Sequence, residues 1–119
     1  MKRRVVVTGM SALTPLGSDL EQAWGRILQG ESGIGPIQSF DASELRTRIA
    51  GEVSDFDVSK VMPVREAGRV DRFVQLAVAA AENAVAQSGL DFEKEDLHRC
   101  GAIVGNGIGG LHEFEIQYR

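Results

Sequence analysis

Residues 71–88 read DRFVQLAVAAAENAVAQS, and this stretch decides which kind of fold the chain can adopt. From 73 to 81 nearly every residue is apolar, and polar residues gather only in the second half. A helix that is apolar almost all the way round needs packing partners on several sides. Gly89 stands where a left-handed residue commonly ends a helix. We therefore expect a helix whose small alanine side chains permit close packing on more than one face.

Three short segments before and after this helix are expected to be strands. Residues 4–8 (RVVVT) are a continuous run rich in β-branched side chains, and residues 100–104 (CGAIV) are a continuous apolar run. Both patterns are typical of strands buried on both faces. Residues 49–53 predict a third strand, interrupted by Gly51. Strands alternating with helices predict an α/β fold with a mixed, mostly parallel sheet.

The remaining elements follow from local signals. Ser18 and Glu21 have the spacing of a capping box and predict a helix that ends near Gly30. Residues 31–36 are rich in glycine and polar side chains and are expected to be loop, whereas residues 111–119 could open another helix.

The chain is expected to be one partial domain, residues 1–119, without an internal boundary. One small sheet covers only one face of the helix at 71–88, so a second sheet has to come from later in the same polypeptide or from another subunit. The alternative is an alanine-rich helix that stays half-exposed.

Composition restricts the classes of function. Thirteen Lys and Arg against seventeen Asp and Glu give a net charge of -4, which offers no general attraction to nucleic acid or anionic membrane. The apolar run after Arg4 is too short for a signal peptide, and no segment reaches membrane-spanning length. A single Cys excludes an intrachain disulfide framework and a Cys-based zinc cage. A cytoplasmic protein is the simplest interpretation.

Residues 105–110, GNGIGG, match the GxGxxG pattern of dinucleotide-binding turns. A nucleotide fold usually places this motif after its first strand, and here it follows at least two expected strands. Glycines that allow close backbone approach, or make room for a substrate, are the alternative, so no cofactor is expected. Cys100 is interpreted as a packing residue, and His98 and His112 lack the spaced ligands of a metal site.

Several motifs in order and register resemble the elongating, type II β-ketoacyl-acyl-carrier-protein synthases, which are thiolase-like condensing enzymes. The matching residues are 4–9 (RVVVTG), 13–17 (LTPLG), 30–34 (GESGI), 40–41 (FD), 70–77 (VDRFVQLA), 88–90 (SGL) and 105–110 (GNGIGG). The resemblance covers nearly the whole chain as an N-terminal portion of such an enzyme.

This resemblance implies the N-terminal part of a five-layer αβαβα fold in a homodimer, with helices between two sheets. It implies fatty acid biosynthesis by decarboxylative Claisen condensation of acyl thioesters with malonyl-acyl carrier protein. The family's catalytic cysteine and histidines match no residue here, so residues 1–119 alone are expected to be inactive. A non-catalytic partner subunit of a polyketide synthase, similar to a chain-length factor, is the alternative.

Four residues take expected roles from the resemblance. Ile108 matches a position that lines the acyl-chain pocket near the dimer interface. Arg65 and Arg69 match basic positions that meet the acidic carrier protein, and Arg72 is their neighbour. These arginines have helical spacing and are expected to form one basic ridge. The alternative is a solvated helix face, or arginines that pair with Glu66 and Asp71.

Overall fold

A computed structural model describes residues 3–118, which divide into two compact units. One unit contains residues 11–57, and the other contains residues 3–10 with 58–118. The sequence predicts one partial domain over residues 1–119 without an internal boundary. This stays a prediction, because two compact units can belong to one domain.

The unit of residues 11–57 contains helix α1 (Leu20–Leu28) and the strands β1 (Ile34–Pro36) and β2 (Ile49–Gly51). The strands pair antiparallel, with Gly35 opposite Ala50. The strand predicted over 49–53 is thus confirmed at its start, whereas the loop predicted over 31–36 is confirmed at 31–33 and wrong at 34–36, which form β1. Glycine and proline can occupy these short edge positions because each strand has only one neighbour.

Helix α1 begins one residue later than the capping box predicts. Asp19 is the N-cap, and its Oδ1 accepts a hydrogen bond of 2.9 Å from the amide of Gln22. Ser18 instead donates through Oγ to Asp55 Oδ1 at 2.8 Å. A carboxylate at the N-cap also interacts favourably with the helix dipole, which explains why Asp19 takes this position. Gly30 adopts φ 72° after the helix, as predicted.

Arg26 ties the last turn of α1 to the segments on either side of it. Its Nε lies 2.6 Å from Glu31 Oε2, and its Nη1 donates to the carbonyl of Leu16 at 2.8 Å. The buried position of α1 is Ala23, whereas Trp24 remains 58% exposed. The predicted apolar face therefore exists but is largely uncovered within the described residues.

Glu52 caps the connection that follows β1. Its carboxylate accepts from the Ser39 hydroxyl at 2.5 Å, from the Gln38 amide at 2.7 Å and from the Ser39 amide at 3.2 Å. The Ser39 hydroxyl, followed by the Gln38 amide, lowers the pKa of Glu52 below its ordinary value because these donors favour the charged form.

The other unit is helical. It contains α2 (Val64–Ala67), α3 (Arg72–Ser88), α4 (Leu111–Tyr118) and two short 3-10 turns at Val58–Lys60 and Leu97–Arg99. Helix α3 confirms the prediction from residues 71–88, and Gly89 follows it with φ 68°. The helix expected over 111–119 is observed as α4, with Arg119 outside the described residues.

Gly9 holds the N-terminal segment against α3. A Cβ at Gly9 would overlap the carbonyl oxygen of Ala84 and lie 2.9 Å from the amide nitrogen of Ser88. The amide of Met10 then donates to Gln87 Oε1 at 2.7 Å. The absence of a side chain at residue 9 therefore lets two backbones approach closely.

The sheet differs from the expected mostly parallel sheet. Among residues 3–118 the one sheet is the antiparallel pair β1–β2, and neither 4–8 nor 100–104 pairs as a strand. Val5 is 93% exposed. A strand buried on both faces needs neighbouring strands for its backbone N–H and C=O groups, and the described part of the chain supplies none beside these runs.

Helix α3 is correspondingly half-covered. Ala79 is 1% exposed, while the other apolar residues from 73 to 80 are half-buried. None of the helices in residues 3–118 combines the length and the apolar character that crossing a membrane requires.

We predict that Asp19→Ala lowers the free energy of unfolding by about 1 kcal/mol, because the Gln22 amide loses its acceptor. Asp19→Asn keeps an acceptor and serves as the matched control. Ser18→Ala should cost less, since its bond to Asp55 is exposed. Denaturant unfolding measures all three. A larger loss for Ser18→Ala than for Asp19→Ala would favour the capping-box assignment instead.

Candidate functional site

Ile108 lies in the glycine-rich loop of residues 105–110, between the exposed run 100–104 and helix α4. Its side chain is 88% exposed. Gly110 adopts φ 82°, and its carbonyl accepts from the amide of Phe114 at 2.9 Å, which starts α4. The loop thus presents a branched apolar side chain directly before a helix N-terminus.

A cavity of about 190 Å³ adjoins Ile108. Its walls come from the loop, from the first turn of α3 and from the first turn of α4. The lining residues are Asp71, Arg72, Phe73, Ile108, Gly109, Gly110, Leu111 and His112. Phe73, Ile108 and Leu111 make this a mainly apolar surface with polar groups at its rim, which suits a ligand with an apolar portion.

Asp71 occupies the N-cap position of α3, but its side chain forms no capping hydrogen bond. Its carbonyl accepts from the amides of Val74 at 3.0 Å and Gln75 at 3.3 Å. Its Oδ2 is buried beside Gly110 without a hydrogen-bond partner among the described residues. Asp71 is therefore a polar group at the wall of the cavity.

A larger cavity of about 230 Å³ follows β1 and β2 beside Pro15. It contains none of the site residues predicted from the sequence. We favour the smaller cavity as the candidate site because it combines Ile108 with an aromatic ring and two helix starts.

The three predicted arginines are exposed but do not form one helical ridge. Arg65 lies on α2, Arg69 follows the end of that helix, and Arg72 is the first residue of α3. The ridge prediction is wrong because the chain leaves helical geometry between Gly68 and Asp71, where ψ reaches 156°. Arg72 nevertheless belongs with Ile108, since it lines the same cavity. Its Nη1 also donates to Gln75 Oε1 at 3.2 Å.

Cys100, His98 and His112 do not come together in a site. Cys100 is exposed, and its thiol donates to the carbonyl of Asp96 over 3.6 Å. His98 lies on the 3-10 turn Leu97–Arg99, whereas His112 is on α4. Within residues 3–118 there is no group of three or more His, Cys, Asp or Glu residues that could hold a metal ion.

The sequence did not single out Phe73 or Leu111 as site residues. Both belong to apolar positions of helices, so their patterns indicate packing and give no separate signal. Only the meeting of α3, α4 and the loop places them beside Ile108.

The family described as "Beta-ketoacyl synthase, N-terminal domain" matches residues 2–119. The chain is 46% identical over 114 residues to 3-oxoacyl-acyl-carrier-protein synthase 2 of Vibrio harveyi, covering 96% of this chain. It is 43% identical over 116 residues to the protein of the same name from Synechocystis, covering 98% of this chain. The chain spans 28% of the length of each of these relatives.

Two solved structures share the fold. The ishigamide ketosynthase/chain length factor superposes with a TM-score of 0.68 at 33% identity, over 78% of this chain and 23% of that one. A ketosynthase in complex with its type II polyketide synthase acyl-carrier protein gives a TM-score of 0.60 at 33% identity, over 81% and 25%. Together with the family match over residues 2–119, these findings show that the chain belongs to the β-ketoacyl synthase family, as part of its N-terminal domain.

Proposed function

We propose that the complete protein is a 3-oxoacyl-acyl-carrier-protein synthase of fatty acid biosynthesis. The observation that carries this proposal is the 46% and 43% identity, over nearly the whole chain, to relatives with that name. The substrates are an acyl thioester and malonyl-acyl carrier protein. The product is a 3-oxoacyl thioester two carbons longer.

The proposed reaction has two stages. The acyl group first moves from its thioester to a cysteine thiolate of the protein, and the carrier thiol leaves. The malonyl thioester then loses CO₂, and its carbanion attacks the acyl carbonyl carbon. The new C–C bond forms as the C–S bond to the cysteine breaks. Hydrogen-bond donors stabilise the oxyanion that develops.

We place the nucleophilic cysteine and its histidines outside residues 1–119. Cys100 is exposed, and its thiol donates to the Asp96 carbonyl rather than to a base. A thiolate nucleophile needs a cation, a base or a helix N-terminus that stabilises its charge. The part described here therefore contributes to binding and assembly rather than to bond making.

For the complete protein we propose the five-layer arrangement with mostly parallel sheets, a homodimer and a cytoplasmic location. Half-covered α3 and the exposed run at 5–7 support the additional layers, since both need partners that residues 3–118 do not provide. Acyl carrier protein is the proposed partner, and the ketosynthase neighbour solved with its acyl-carrier protein supports it.

A chain-length-factor-like subunit is the second candidate, because one structural neighbour carries that name beside ketosynthase. Such a subunit would share the fold but need a catalytic partner.

We predict that the purified complete protein converts acyl-carrier and malonyl-carrier thioesters to 3-oxoacyl-carrier product with one CO₂ released per condensation. Intact-protein mass spectrometry and CO₂ release measure the two products. A mixture lacking malonyl-carrier protein is the control. Activity only after a separate ketosynthase is added would favour the second candidate, and no activity in either mixture would contradict both.

We predict that Ile108→Phe shortens the accepted acyl chain, because the larger ring fills space beside the cavity. The kcat/KM for long acyl chains should fall at least about tenfold, which corresponds to about 1.4 kcal/mol, while short primers change little. Ile108→Leu keeps the volume and serves as the control. An equal loss for all chain lengths would indicate a folding defect and contradict a pocket role.

We predict that Arg65→Glu and Arg69→Glu each weaken binding of the acidic carrier protein by about three- to fivefold at low salt, with a smaller effect at high salt. Arg46→Glu makes the same charge change at an exposed residue between β1 and β2 and should have little effect. Titration of the complete protein with carrier protein at two salt concentrations measures this. Unchanged affinity at low salt would remove these arginines from the docking surface.

A further inference from the structure

Gly109 lies directly after Ile108 and is packed against the aromatic ring of Phe73. A Cβ built on Gly109 would lie 2.7 Å from Phe73 Cδ1, and it would also overlap the side-chain amide of Asn106. Carbon atoms that are not bonded pack at about 3.5–4.0 Å, so even one methyl group at residue 109 requires movement. The ring therefore touches the loop backbone beside the residue to which we assign the acyl pocket.

The other glycines before Ile108 do not have such neighbours. A Cβ at Gly105 or Gly107 would meet no atom within 4 Å in the described part of the chain. Of the glycines at 105, 107 and 109, Gly109 is therefore the one with a closely packed backbone. The contact between Gly109 and Phe73 therefore restrains the loop backbone next to Ile108.

Phe73 lies in the first turn of α3, which hydrogen bonds hold in place. Helix α3 begins with the carbonyl of Asp71 accepting from the amides of Val74 and Gln75. The side chain of Gln75 also donates through Nε2 to the carbonyl of Ala67 at 2.9 Å, which ties the first turn of α3 to the end of α2. Added volume at Gly109 is therefore expected to displace the loop and Ile108 rather than the helix.

We propose that Gly109 and Phe73 are positioning residues that set where Ile108 stands, and so determine acyl-chain length selectivity. The inference rests on the proposed function, because the acyl role of Ile108 belongs to it. Phe73 and Ile108 also line the same cavity of about 190 Å³, so a shift of the loop changes the distance between two of its walls. Neither Gly109 nor Phe73 needs to react with the substrate.

The test compares Gly109→Ala with the double variant Gly109→Ala/Phe73→Val in the complete protein. Valine has no δ carbon, so the double variant removes the ring atom that the new methyl group would meet, while the Asn106 amide lies at the end of a rotatable side chain and can turn away. We expect Gly109→Ala to change the ratio of kcat/KM for long against short acyl chains at least about fivefold, and Phe73→Val to restore most of that change.

Gly25→Ala is the matched control. Gly25 lies in α1, and a Cβ there would meet no atom within 4 Å among the described residues. Its chain-length ratio should equal that of the unmodified protein. Phe73→Val alone loosens the same contact from the other side, so it should shift the ratio in the direction opposite to Gly109→Ala, and this holds even if Gly109→Ala folds poorly.

The outcomes separate this inference from the proposed function. An unchanged ratio in both Gly109→Ala and Phe73→Val overturns the inference, as does an equal loss of activity for all chain lengths or a double variant without restoration. If Ile108→Phe shifts the ratio while these variants do not, the pocket role stands and only the positioning role fails. If the unmodified complete protein does not condense acyl and malonyl thioesters, the proposed function itself fails.

Discussion

The apolar surface of α3 is the constraint on which the rest of the structure depends. The helix forms as its sequence requires, but Ala79 is its only residue buried completely among residues 3–118. Burying apolar area contributes about 25 cal/mol of stabilisation per Å², and this is missing for area that stays in water. A half-covered helix of this length therefore needs further packing partners. The chain spans 28% of its relatives' length, and the proposed further layers are what would meet that demand.

Polar contacts within the unit of residues 11–57 hold the connections around α1, β1 and β2. Arg26 joins the end of α1 to Glu31 and to the Leu16 carbonyl, while Glu52 collects donors from Gln38 and Ser39. These groups are exposed or half-buried, and each such bond contributes little net free energy because water competes for it. Their role is to fix the course of connections that few apolar contacts restrain.

The candidate site could be predicted only in part. The resemblance pointed to Ile108 and to the arginines at 65, 69 and 72, and the cavity does bring Ile108 together with Arg72. The resemblance did not predict that Phe73 lines the cavity, because a phenylalanine in the first turn of an apolar helix indicates ordinary core packing. Nor could helical spacing reveal that the chain leaves helical geometry between Gly68 and Asp71, since spacing carries no information about backbone ψ.

The sequence by itself determined the elements whose signals are local: α3 and its end at Gly89, α1 and its end at Gly30, and α4. Periodicity and left-handed glycines act within a few residues, so they need no distant partner. Tertiary structure decided the rest. The runs at 4–8 and 100–104 become strands only where other strands pair with them, because a strand's backbone hydrogen bonds, unlike those of a helix, are made to neighbours distant in sequence.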